Sequence, residues 1–70
     1  MNEKYRLTNH VDEIEIMRYV IKSMRQEHRS QKEIDTYLVN AQKFDFNNLL
    51  RVSLIKLDEL NNGWIDKDGL

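Results

Sequence analysis

The chain is 70 residues long and sets eleven Lys and Arg against twelve Asp and Glu, a formal charge of −1, with no cysteine and no proline. That length allows one domain, which hides only about 60% of the surface its unfolded chain would expose. Lack of cysteine excludes disulfides and thiolate zinc sites as aids to stability, which leaves self-association, and the balanced charge excludes a bulk preference for nucleic acid.

Charged residues make up 33% of the chain and hydrophobic residues 40%, and the periodicity of the hydrophobic ones argues against disorder. No apolar stretch is long enough to cross a bilayer, and the polar start MNEKYR lacks the apolar core of a signal peptide, so a cytoplasmic location is expected. The two glycines are Gly63 and Gly69, so nothing before Asn62 breaks a helix strongly. The fold class expected is all-α: a small three-helix bundle with helices at about 9–28, 31–43 and 46–62, joined by short connections. Residues 1–7 read as an arm and 64–70 as a frayed tail of this single domain, 1–70.

Thr8 or Asn9 is a natural N-cap for the first helix, with Asp12 and Glu13 suited to the positive end of its dipole. Ile14, Met17, Ile21 and Met24 recur at three- and four-residue steps, flanked by Val20 and Val11, and predict one buried stripe. Ile16 and Tyr19 fall off that stripe and are expected on the outer surface as a small apolar patch. Arg18, Lys22, Arg25 and Arg29 line one edge of the same helix, a spacing that suits contact with phosphates or pairing with Glu15, Asp35, Asp58 or Glu59.

Ser30 followed by Glu33 predicts a capping box for the second helix, whose Ile34, Tyr37, Leu38 and Ala41 share one face. Asp45 is the expected N-cap of the third, with Phe44 placed to staple onto Leu49. At the far end Gly63 suits the helix stop and Trp64 a lid over Leu60. Leu49, Leu60, Ser53, Phe46, Leu57, Leu50 and Leu54 form the core-facing stripe of the third helix. Val52 and Ile55 land on the other side with Glu59, so this helix has apolar surface to spare for a partner.

No pattern in the chain carries catalytic chemistry. Ser23, Ser30 and Ser53 sit in no nucleophile motif, and the glycines needed to cradle a phosphate are missing. His10 and His28 are eighteen residues apart, about 27 Å along a helix, too far to share a metal within one subunit. The tail Asp66-Lys67-Asp68-Gly69 resembles the opening of an EF-hand loop, but its glycine comes two positions early. No enzyme activity, cofactor or metal is therefore expected.

The function expected is that of a small, self-associating, non-catalytic protein-interaction or regulatory module, argued from Val52, Ile55 and Glu59 on the third helix and Ile16 and Tyr19 on the first. A homodimer is the expected state, because each apolar contact counts twice across a two-fold axis. The alternative is a nucleic-acid-associated modulator of transcription using Arg18, Lys22, Arg25 and Arg29. Size and composition also suit a small bacterial or phage protein, including an inhibitor that occludes a host enzyme.

Overall fold

A computed structural model describes residues 4–7 and 12–62. Three helices follow in order: α1 (Glu13–Gln26), α2 (Gln31–Ala41) and α3 (Phe46–Asn61). α3 packs against both of the others and, with no strand among the described residues, the architecture is the expected three-helix bundle. Thr8, Asn9, His10 and Val11, and Gly63, Trp64 and the Asp66 to Gly69 segment, lie outside the described residues.

Local chemistry sets each helix start. Asp12 is the N-cap of α1, accepting from the Ile14 N–H at 3.2 Å, so this helix begins later than its periodicity suggested. Ser30 caps α2 through the Glu33 N–H at 3.1 Å, and Asp45 caps α3 through the Asn48 N–H at 3.0 Å. Only half of the expected capping box forms, because the Glu33 carboxylate turns to Arg29 and Lys56 instead. α1 stops at Gln26 rather than His28, closed by His28 N–H to Arg25 O at 3.0 Å and Arg29 N–H to Met24 O at 2.9 Å. His28 adopts φ 62° there, the left-handed position that usually falls to glycine in this termination.

The core gathers Ile16, Val20 and Met24 of α1, Ile34, Tyr37 and Ala41 of α2, and Leu49, Leu57 and Leu60 of α3. Here the expected face of α1 is corrected. Ile16 is fully buried at 0% exposure while Ile14 is 59% exposed, so the helix is rotated to put Ile16, Val20 and Met24 inside, with Met17 and Ile21 left half-buried at the margin of the core. Ser23 makes this rotation possible: its hydroxyl donates to the Tyr19 carbonyl at 2.8 Å, so a polar residue enters the core with its hydrogen bond made. On α3 the expected stripe holds at Leu49, Ser53, Leu57 and Leu60, with Leu50 half-buried, but Leu54 is 53% exposed and Phe46 also reaches solvent.

Of the expected arm, residues 4–7 belong to the fold. Tyr5 is 6% exposed and packs with the core cluster. Its N–H donates to Asn61 Oδ1 at 2.7 Å and its carbonyl accepts from Asn61 Nδ2 at 2.9 Å. The Tyr5 hydroxyl donates to Glu27, which also pairs with Lys4 at 3.2 Å, and the Arg6 N–H donates to the Tyr19 hydroxyl at 2.9 Å. A segment without hydrophobic periodicity is thus tied to both α1 and α3.

Candidate functional site

Between α2 and α3 the core leaves an open groove of about 390 Å³. Val52 and Ile55 line its wall from α3, Tyr37 lines it from α2, and Phe44 in the connecting loop stands at its rim. Ile55 is 51% exposed and Phe44 79%, whereas Val52 is partly buried against the core. Asp45 starts α3, and the packing of Leu49, Ser53, Leu57 and Leu60 into the core leaves Ile55 on the outer face.

The groove's polar groups are unevenly spread. Arg51 lies one turn before Ile55, held by a hydrogen bond to Asn48 Oδ1 at 3.1 Å, and Lys43 lies in the preceding loop. Glu59 lies one turn after Ile55. Its Oε1 meets Lys56 Nζ at 3.0 Å, and Lys56 also reaches Glu33 at 3.1 Å, so that lysine is neutralised within the subunit. Neither Arg51 nor Lys43 has a carboxylate partner among the described residues. Beneath the groove the Tyr37 hydroxyl bonds Ser53 Oγ at 2.6 Å; burial pushes its phenol above the usual range, and the bond to Ser53 pulls the other way. The Asn48 amide, also buried, donates to the Asn40 carbonyl at 2.9 Å, so the floor carries satisfied polar groups.

Val52, Ile55 and Glu59 are therefore brought together on one face as the sequence suggested. The second expected patch is not formed. Ile16 is sealed in the core, where no partner can reach it without unfolding, and Tyr19 is half-buried with its hydroxyl engaged by the arm. Phe44 and Arg51 are the groove residues that the sequence reading missed. Phe44 was expected to cover Leu49; the two share a small recess of about 150 Å³, yet the ring stays largely in solvent. Arg51 was legible in principle, since it and Glu59 stand four residues to either side of Ile55.

The basic edge of α1 is real but shorter than expected. Arg18, Lys22 and Arg25 are exposed and line one surface with Tyr19, Ile21 and Glu15. None of the three has an ion pair among the described residues, including the expected partners Glu15, Asp35, Asp58 and Glu59. Arg29 departs from the edge, pairing with Glu33 at 3.0 Å past the end of the helix.

Among the described residues no three His, Asp or Glu side chains gather as a metal site requires, and no helix is long and apolar enough to cross a membrane. No known protein family, curated protein or solved structure matches the chain.

Proposed function

We propose that this chain is a non-catalytic interaction module that pairs with a second copy of itself through the outer face of α3. The supporting observation is the order of residues on that face: Arg51 and Glu59 lie one turn to either side of Ile55, with opposite charges. An antiparallel two-fold packing centred on Ile55 sets the isoleucines against each other and Arg51 of each copy against Glu59 of the other. Glu59 Oε2 is available for that contact because only Oε1 is engaged by Lys56 among the described residues. Burying Ile55 and the exposed Phe44 rings contributes about 1.5–3 kcal/mol for each side chain covered, before the cost of association. A small core that hides a modest share of its surface gains from this cover.

The experiment is a charge exchange read by sedimentation equilibrium. Arg51→Glu and Glu59→Arg each set like charges together and should lower the average mass toward that of a monomer, while the double exchange should restore the dimer. Ile55→Asp should abolish it with helicity by circular dichroism retained. A wild-type chain that stays monomeric at ~1 mM, or a double exchange no better than either single one, would rule out this pairing.

A further inference from the structure

The geometry points to the outer edge of α1 as a surface that takes the phosphate backbone of duplex nucleic acid, through Arg18, Lys22 and Arg25. This inference stands apart from the dimer, because the edge shares no residue with the α2/α3 groove. The three cations span about 10 Å of one rigid helix at 1.5 Å rise per residue. All three are exposed and none is neutralised by a carboxylate among the described residues, although the chain as a whole carries a charge of −1. Among the described residues Glu15 is the acid lining this surface, and it forms no ion pair with them there. The local field is therefore positive where the total is not, which is the footprint that backbone contact requires.

Two features select the partner. A membrane-surface helix separates a wide apolar stripe from its basic face, whereas here the exposed Ile14 and half-buried Ile21 share the outer face with Arg18 and Arg25. Single strands are held by aromatic rings on which bases stack. The aromatic side chain bordering this edge is Tyr19, half-buried with its hydroxyl accepting from the Arg6 N–H. What remains is an exposed row of charges on one helix that suits a duplex backbone, without base readout.

The test is fluorescence anisotropy with a random-sequence DNA duplex across a salt series, with phosphatidylserine vesicles as a second arm. Three phosphate contacts predict a slope of about −2.7 in log K against log salt, so affinity should fall about 40-fold between 50 and 200 mM. Replacing all three by Gln should abolish binding, and each single Gln variant should reduce the slope by about 0.9. Arg18→Lys with Arg25→Lys, which keeps the charges, should retain the slope. Circular dichroism checks folding of each variant, and should the triple variant unfold, the single-variant slopes carry the decision. No binding at 50 mM salt, binding that the Gln variants leave unchanged, or capture by the vesicles without the duplex would each overturn the inference.

Discussion

Asn61 clasps the backbone of Tyr5 from both sides, its Oδ1 accepting the Tyr5 N–H at 2.7 Å and its Nδ2 donating to the Tyr5 carbonyl at 2.9 Å. One side chain at the end of α3 thereby satisfies both polar groups of a residue outside the helices, 56 positions away in the chain. This permits Tyr5 to bury its ring without leaving its main chain unpaired. Asn61→Ala should cost about 1–3 kcal/mol in urea denaturation, from two lost hydrogen bonds and the freed arm. Loss below about 0.5 kcal/mol would mean that the arm does not depend on this clasp.

The arm should respond to pH at both ends of the range. Glu27 is held below the ordinary carboxylate range, first by the hydrogen bond from the Tyr5 hydroxyl and then by that from Lys4. A depressed carboxylate contributes stability that is complete above its unfolded value and is lost as pH falls through the folded one. Tyr5 is raised, chiefly by burial and then by its bond to Glu27, and Lys4 is raised chiefly by its bond to Glu27. Their contributions are complete below the unfolded values and are lost as pH rises through the folded ones. NMR shifts of the Asn61 side-chain amide should therefore show a plateau with an acid and an alkaline limb. Glu27→Gln should remove the acid limb, and its persistence there would assign that limb to another group.

Tyr37 and Ser53 share a buried hydrogen bond of 2.6 Å, which makes their substitution costs interdependent. Ser53→Ala should cost about 1–3 kcal/mol by leaving the Tyr37 hydroxyl without its partner, and Tyr37→Phe a similar amount. The double variant should cost less than the sum, since two apolar groups meet in place of two polar ones. Additive costs in a thermal denaturation cycle would show that the bond contributes nothing beyond packing.

Two isoleucines on different helices should behave oppositely. Ile16→Ala opens a cavity in the core and should destabilise by about 2–5 kcal/mol, whereas Ile55→Ala in a dissociated subunit should change stability by less than about 0.5 kcal/mol. Equal effects in chemical denaturation at low protein concentration would contradict the orientation of α1.

His28 carries a left-handed backbone, φ 62°, that costs a side-chain-bearing residue about 1–2 kcal/mol relative to the right-handed form. His28→Gly should therefore raise stability, by about 0.5–1 kcal/mol once the greater freedom of glycine in the unfolded chain is subtracted. A lower melting temperature would show that the imidazole makes a compensating contact.

Local signals in the chain were enough to place three helices, the caps at Ser30 and Asp45, and the outward position of Ile55, because each depends on neighbours a few residues away. The rotation of α1 needed the assembled bundle. The apolar residues of that helix cover more than half of its circumference, with Ile14 at one margin and Ile16 toward the other, so the two compete for the interior on equal hydropathic terms. The choice fell to Ile16 because Ser23 enters the core on the same side, its hydroxyl satisfied by the Tyr19 carbonyl, while Tyr5 closes the cluster from a segment far away in sequence. Ser53 and Asn48 are likewise buried with their partners Tyr37 and Asn40. Periodicity weighs only the cost of hiding a polar side chain; at Ser53 and Asn48 the bond that cancels it comes from another helix, and at Ser23 from the preceding turn of its own.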